Sequence, residues 1–495
     1  MLLLGIDIGT SSVKATVMDA ASQVTLSSAS FPGSEAAIIS LQTGWAEQDP
    51  VTWWTFAQQA ILQCHSHKKY NPKEIAAIGI SYQMHGLVLT DESGKALRNS
   101  IIWCDSRAVD IGRKAFAEIG EEKCLRSLLN SPGNFTASKL AWVKENEPEI
   151  YKKIHRIMLP GDYISMKFTG STTTTISALS EGIFWDFHTN AISEDVMQYF
   201  DFDAAHFPEI RPVFSVHGKL LKPVAHELGL TPQIPVSYKA GDQPNNALAL
   251  NVMQPGEVAA TAGTSGVIYG VSDQLIFDKK SRINNFAHVN YCNKNKKTGV
   301  LLCLNGTGIF YKWIKSIIGK EKSYEEINRM AAEVGSGANE LFALPFGNGA
   351  ERILNDRFTG AQFFGIDFNV HTSSHLLRAA IEGIAFSFRF GLDMMRENGI
   401  NPKIIRAARA NMFLSDVFAQ AFATINNVAV EFYEGDGSYG AAIGAGLGAG
   451  IYINSEEAAK NRKPVGVIEP QNDAMLNEKY EKWKQALAMA LELAM

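Results

Sequence analysis

Apolar positions along the chain fall into short runs with two different periods. Leu2 to Ile8 is almost continuously apolar and reads as a buried strand. Val13 to Met18 reads as a second strand, joined to the first by Gly9-Thr10-Ser11-Ser12, and Val24 to Phe31 as a third. In EQDPVTWWTFAQQAILQ the period becomes that of a helix. Asp49 is placed to cap it, and Pro50 suits the first helical position, where a missing N–H costs nothing. IAAIGISYQM reads as another buried strand, with GLVLTD as its partner. Strand and helix signals go on alternating, which predicts an α/β fold. The last helix carries Leu476, Tyr480, Trp483, Leu487 and Leu491 on one face, a pattern for packing rather than partner binding.

The second half repeats the opening. EVAATAGTSGVIYGVS is again a strand, a Gly-Thr-Ser-x-Val turn and a strand. Gly9-Thr10-Ser11-Ser12-Val13 matches Gly263-Thr264-Ser265-Gly266-Val267 in the same hairpin context. A chain of 495 residues is too long for one ordinary core. Two related α/β domains are the simplest account, residues 1–243 and residues 244–495, with the boundary in AGDQPNN.

Composition removes several classes of function. The net charge of -5 is mild and no basic stripe is present, so nucleic acid is not the expected partner. The five cysteines include no Cys-x-x-Cys pair, which predicts buried free thiols rather than disulfides or zinc. Leu2-Leu3-Leu4 is too short for a signal peptide, and YGAAIGAGLGAGIYI is too short and glycine-rich to span a bilayer. A soluble cytoplasmic protein with no membrane partner is expected. The glycine/alanine run predicts a helix lying close against its neighbours.

Tight turns hold phosphates through backbone N–H groups, and Thr or Ser adds a hydroxyl. One Gly-Thr-Ser turn is as well read as a simple hairpin; two facing turns point to a polyphosphate in a cleft. Asp7, at a strand end, is a candidate to hold the water shell of a Mg²⁺ accompanying a nucleotide. Lys14 is expected to be solvated. Asp242, between an apolar strand and a helix, suits a general base facing a crevice, but local sequence favours helix capping. His85, in Gln83-Met84-His85-Gly86, and Asp105 with Arg107, in IIWCDSR, sit at strand ends that suit polyol recognition, although a lone histidine or an Asp-Arg pair is more often structural.

Together these stretches resemble the FGGY family of carbohydrate kinases, within the actin-like ATPase superfamily. The likeness runs in order through GIDIGTSSVKATVMD, GWAEQDPVTWW, SYQMHG, WCDSR, AGDQPNNA, TAGTSGV, GAERILNDRFTGAQFFGI and GDGSYGAAIGAG. It implies two actin-like (ribonuclease H-like) domains with a cleft between them, the first for sugar and the second for nucleotide. It implies ATP-dependent phosphorylation of a ketose, with ATP and Mg²⁺ as cofactors and a homodimer as the family's expectation. The Gln-Met-His-Gly tetrapeptide points to D-xylulose and its 5-hydroxyl; ribulose, sedoheptulose or a deoxyketose are the alternatives. By the same resemblance Asp242 is the general base and Asp7 positions Mg²⁺ through water. Thr10, Ser11, Gly263 and Thr264 hold phosphates, and Met84, His85, Asp105 and Gln243 line the ketose site. One departure stands out. Where the family has a triglycine loop beside the nucleotide, this chain has Ala410-Asn411-Met412-Phe413. Asn411 is the candidate donor there. The loss of glycine also leaves room for a sugar-binding regulator that has given up catalysis. An actin-like chaperone or filament ATPase would share the turns but has no use for Gln-Met-His-Gly.

Overall fold

A computed structural model describes residues 1–493. Strands β1 (Leu2–Ile8), β2 (Val13–Asp19) and β3 (Thr25–Phe31) form an antiparallel meander. Helix α1 (Pro50–Ser66) follows, its first turn capped by the Asp49 carboxylate, which accepts Val51 N–H at 2.9 Å. Strand β4 (Ile75–Tyr82) pairs parallel to β1. After α2 (Thr136–Asn146) and α3 (Ile176–Glu181), β5 (Phe214–Lys219) and β6 (Pro235–Gly241) complete a sheet of order β5-β6-β4-β1-β2-β3. Helix α4 (Asp242–Ala249) leads away from it, and residue 243, the boundary expected from sequence, lies in its first turn.

The second sheet repeats this plan. Strands β7 (Glu257–Ala262) and β8 (Gly266–Ser272) form the hairpin, followed by β9 (Asn284–Ala287) and β10 (Thr298–Leu304). Then come α5 (Gly308–Ile318), α6 (Ser373–Glu397), β11 (Ile404–Ala408), α7 (Asp416–Asn426) and β12 (Val430–Tyr433). Helix α8 (Gly437–Gly448), β13 (Gly466–Ile468) and α9 (Ala474–Leu493) close the described chain. The order is β9-β10-β8-β7-β11-β12-β13. In each sheet the opening hairpin continues into an antiparallel strand on one side, β3 or β10, and into two parallel strands on the other, so the repeat read in the turns extends to this part of both sheets; the second sheet adds β9 beyond β10, and β5 and β13 are antiparallel edges.

The halves are not independent. Helix α8 follows a strand of the second sheet but packs on β1, β4 and β6 of the first. It lies very close. A Cβ on Gly5 would fall 1.9 Å from the Ser438 carbonyl oxygen, and one on Gly79 would fall 1.9 Å from that of Ala441. Gly444 in turn lies over the Tyr238 ring. The glycine/alanine run is therefore the close-packed helix its composition predicts. Helix α9 buries Leu476, Tyr480, Trp483 and Leu487 in the second core, and Trp483 Nε1 donates to the Ala343 carbonyl at 2.8 Å.

Two local expectations change. Val88–Thr90 pairs with Arg156–Met158 rather than with β4, because the chain leaves the sheet at His85, whose φ is 62°. Cys64 and Cys124 are buried free thiols, but Cys104, Cys292 and Cys303 reach the surface. Among the described residues no helix is long and apolar enough to cross a membrane.

Gly79→Ala should lower the unfolding free energy by about 3 kcal/mol, since a methyl group there must displace the α8 backbone. Gly33→Ala, with open space around it, should change stability by less than about 0.5 kcal/mol. Urea denaturation of both variants measures the difference; equal midpoints would contradict this packing.

Candidate active site

Sheet register assembles the site. Ile8, Tyr82 and Gly241 lie side by side at the carboxyl ends of β1, β4 and β6. The next residues, Gly9, Gln83 and Asp242, therefore leave the sheet together, where ligands of open α/β sheets bind. The first Gly-Thr-Ser turn, the Gln-Met-His-Gly segment and Asp242, far apart in sequence, share one edge. In the second sheet Ala262, Ala408 and Tyr433 end their strands in the same way, releasing Gly263-Thr264, the segment before Asn411, and Asp436.

A chain of hydrogen bonds stiffens the first-sheet side. Trp53 Nε1 and Gln83 Nε2 donate to Gln48 Oε1 at 3.0 and 2.9 Å, and Gln48 Nε2 donates to the Thr10 carbonyl at 2.8 Å. Thr10 Oγ1 donates to Gln83 Oε1 at 3.2 Å and accepts from Trp103 Nε1 at 2.9 Å. The Thr10 hydroxyl is thus fully engaged, while Ser11 beside it is exposed. Trp103 is half exposed next to the turn, an apolar face available to a ligand.

His85 is held from both ends. Its Nδ1 donates to the Glu181 carbonyl at 2.9 Å, and its own carbonyl accepts from Lys139 Nζ at 2.9 Å. Phe135 and Phe286 flank the ring at 4.8 and 5.3 Å between centroids, so β9 of the second sheet contributes to this wall. Burial, then the Lys139 charge, pushes the imidazole down to about 3. A neutral ring protonated on Nδ1 presents Nε2 as a hydrogen-bond acceptor. Burial also pulls Lys139 down to about 7, with Asp105 opposing. Met84 is buried beside Gly241, whose missing side chain makes room for its thioether.

Asp105 is wholly buried, and its carboxylate is already committed. It accepts Ala46 N–H at 2.6 Å and Arg107 N–H at 2.9 Å, and pairs with the Arg107 guanidinium at 2.7 Å. Arg107 sits between the Trp45 and Trp142 rings, 3.8 and 4.8 Å from their centroids, and also pairs with Glu47 at 2.7 Å.

Three carboxylates are linked pairwise by charge, Asp242 with Asp7 and Asp7 with Asp436. Burial raises Asp242 to about 7, with the charge of Asp7 adding and Gln243 opposing; Gln243 Nε2 donates to Asp242 Oδ2 at 3.1 Å. Burial likewise raises Asp7 to about 6, with Ser81 opposing and Asp436 adding. Asp7 rests against Gly437 at the start of α8, and its Oδ1 is buried without a hydrogen-bond partner. Asp436 caps that helix, accepting Tyr439 N–H at 3.1 Å, and ion-pairs with Lys14. Burial works against its charge, but Lys14 and Ser438 outweigh it and hold the carboxyl below its usual range.

Lys14 is therefore a partner rather than a solvated side chain. The register sets it opposite Asp7 on the hairpin, where α8 brings Asp436. The capping reading of Asp242 is also corrected: Gly241 is the N-cap of α4, which has no side-chain cap bond, and the Asp242 carboxylate takes Gln243 Nε2 as its side-chain partner. Asp436 could have been found from Gly435-Asp436-Gly437 opening a helical run. Glu181 and Lys139 carry no such local signal.

The second-sheet side holds a cavity of about 380 Å³ lined by Gly263, Thr264, Tyr311, Asn328, Asn411 and Met412, among others. The Gly263 and Thr264 carbonyls accept the Gly308 and Ile309 N–H groups at 2.9 and 3.0 Å, which docks α5 on the turn. Asn411 stands in the left-handed region at φ 54°, a conformation asparagine tolerates better than most residues. Its amide faces Gly263 and the cavity, and Phe413 packs away from it into the core. Glu351, from the Gly-x-Glu-Arg segment, accepts Asn305 and Gly306 N–H at 3.0 and 2.9 Å and so ties the end of β10.

No cluster of three or more His, Cys, Asp or Glu side chains poised to hold a metal exists among the described residues. Protein sites typically hold Mg²⁺ through one or two carboxylates, phosphates and water. The unpartnered Asp7 Oδ1 is a fitting contact for its water shell.

Residues 2–249 match the N-terminal domain, and residues 258–449 the C-terminal domain, of the FGGY family of carbohydrate kinases. A xylulose kinase of Escherichia coli is 26% identical over 457 residues, covering 92% of this chain and 91% of that protein. The solved xylulose kinase of Rhodospirillum rubrum superposes with a TM-score of 0.86 at 24% identity, covering 99% of both chains. The glycerol kinase of Plasmodium falciparum, solved with ADP, superposes with a TM-score of 0.87 at 22% identity over 100% of this chain and 98% of that one.

In protein labelled with ¹⁵N-histidine, the His85 ring should keep its proton on Nδ1 and show no titration between about pH 5 and 8. A titration midpoint near neutrality would contradict the environment described for it.

Proposed function

This chain belongs to the FGGY family of carbohydrate kinases, and on that premise we propose that it transfers the γ-phosphoryl group of ATP to the 5-hydroxyl of D-xylulose. That it is a carbohydrate kinase follows from the family; the ketose and the residue roles are our reading. The observation that carries it is the junction of β4 and β6, which sets Met84 of the sugar-side segment against Gly241, the residue before Asp242. The relatives named xylulose kinase support the choice of sugar. The glycerol kinase fold shows that the architecture also serves a different acceptor.

In this reading residues 1–243 hold the sugar and residues 244–495 the nucleotide. His85 Nε2 accepts a sugar hydroxyl, and Met84 and Gln243 shape the pocket. Asp105, saturated by Ala46 N–H and Arg107, serves the ketose site by bracing its wall. Thr10 and Ser11 in one turn and Gly263 and Thr264 in the other face the phosphates, Thr10 through its backbone. Asn411 supplies a side-chain amide where the family has glycine.

Asp242 takes the proton of the 5-hydroxyl as that oxygen attacks the γ-phosphorus; the bond from phosphorus to the β,γ-bridging oxygen breaks and ADP leaves. An aspartate raised to about 7 accepts a proton far better than an ordinary one. Asp7 would hold Mg²⁺ through water, and the ion supplies countercharge to the phosphates when bound. Closure of the halves about the cleft would exclude water and align oxygen with phosphorus.

Asp242→Asn should lower kcat by about 10³-fold while calorimetry shows xylulose affinity within about threefold of wild type. Near-wild-type turnover would remove Asp242 from the mechanism. Since the base works only when ionised, wild-type kcat/KM should rise with pH through about 7 and level off above it. A coupled ADP-release assay over D-xylulose, ribulose, sedoheptulose, a deoxyketose and glycerol tests the substrate. The highest kcat/KM should fall on D-xylulose; a preference for another acceptor would overturn that choice and leave the kinase assignment intact.

A further inference from the structure

Glu181 ends α3 beneath the turn that carries Asp242 and is wholly buried. Its Oε2 would lie 2.5 Å from a Cβ on Gly241, and neither carboxyl oxygen has a hydrogen-bond partner. Its backbone carbonyl accepts the His85 Nδ1 proton at 2.9 Å. One residue thus touches both the strand end that presents the base and the histidine that faces the sugar. Nothing in the reaction outlined above uses its side chain.

The groups around it explain its state. Tyr82 and His85 face it from the end of β4, and Tyr82 Oη is also buried without a partner. The charges of Asp242 on α4 and of Asp162 on the helix Pro160–Thr169 act on it through space, and its own charge acts on Tyr269 of β8. The cations nearby are committed elsewhere: Lys239 pairs with Asp162 at 2.6 Å, and Lys139 donates to the carbonyls of His85 and Ile102 at 2.9 and 3.0 Å. An ionised carboxylate there would be buried, unpaired and next to a second carboxylate, an arrangement proteins avoid by keeping the proton.

We propose that Glu181 is a positioning residue, held as the un-ionised acid, whose side chain supports the Gly241–Asp242 turn by contact with Gly241 and whose backbone carbonyl orients His85. This deepens the kinase reading and rests on it for the role of Asp242. Burial first, and then the charge of Asp242, pushes its carboxyl well above the usual range. Neutrality has a consequence for the reaction. A charge at Glu181 would raise Asp242 further and repel the incoming phosphates; a neutral acid supplies a proton donor without either effect.

Three variants and one spectrum test this. Glu181→Gln, isosteric with the neutral acid, should keep kcat within about threefold and leave the acid limb of the pH profile in place. Glu181→Met, of similar length but without a donor, should lower kcat at least about tenfold with the KM for ATP unchanged. The infrared difference spectrum of wild type minus Glu181→Gln at neutral pH should show the carbonyl stretch of an un-ionised carboxyl group. Glu181→Asp, which keeps the acid but withdraws it, should fall between the other two variants in kcat. Absence of that band would overturn the proposal. So would a fall of about one pH unit in the acid limb of Glu181→Gln, or wild-type kcat in Glu181→Met. Should Glu181→Met fail to fold, the band and the Glu181→Gln profile still decide. A wild-type protein that phosphorylates no ketose would sink the substrate reading, while the band would still report the state of Glu181.

Discussion

The contact on which the rest depends is backbone against backbone. Helix α8 lies on β1 and β4 so closely that Gly5 and Gly79 admit no side chain beneath it. Because α8 enters from the second half of the chain, this contact joins the two repeats. It also sets the start of the helix beside Asp7, where Asp436 caps α8 and pairs with Lys14. A bulkier sheet surface would hold the helix away, and the aspartate of the first turn would lose its neighbours. The spacing of the charged groups in the cleft thus depends on glycines that carry no chemistry of their own.

Burial does the electrical work at the site. Asp7 and Asp242 are raised first by lost hydration and then by like charge, and His85 is kept neutral by the same loss of water. None of these shifts needs an unusual residue. Each needs a polar group at a strand end that the second half of the chain helps to cover. Phe286 covers His85 in this way, and Gly437 covers Asp7. A cleft built from two similar sheets supplies such cover from both sides.

Much of this was legible in the chain. The paired Gly-Thr-Ser turns predicted the duplicated topology because a strand–turn–strand signal is local. The capped start at Asp49 and Pro50 was legible for the same reason. The partner of Val88–Thr90 was not, because the left-handed turn at His85 sends that strand out of the sheet. Lys14 read as solvated because its partner lies 422 positions away in sequence. Asp242 read as a helix cap because residue type and position suit that role; only the geometry of α4 assigns the cap to Gly241.

The α/β class, the internal repeat, the family and the segments that carry chemistry can all be read along the chain. These follow from hydrophobic period, turn residues and short motifs, all set by neighbours along the chain. The tertiary structure alone decided which of those groups are charged and what each one touches. It committed Asp105 to Arg107, engaged the Thr10 hydroxyl with Gln83 and Trp103, and put Glu181 against Gly241. Ionisation and hydrogen bonding depend on burial and on partners remote in sequence, and those exist only once the sheets have closed on each other.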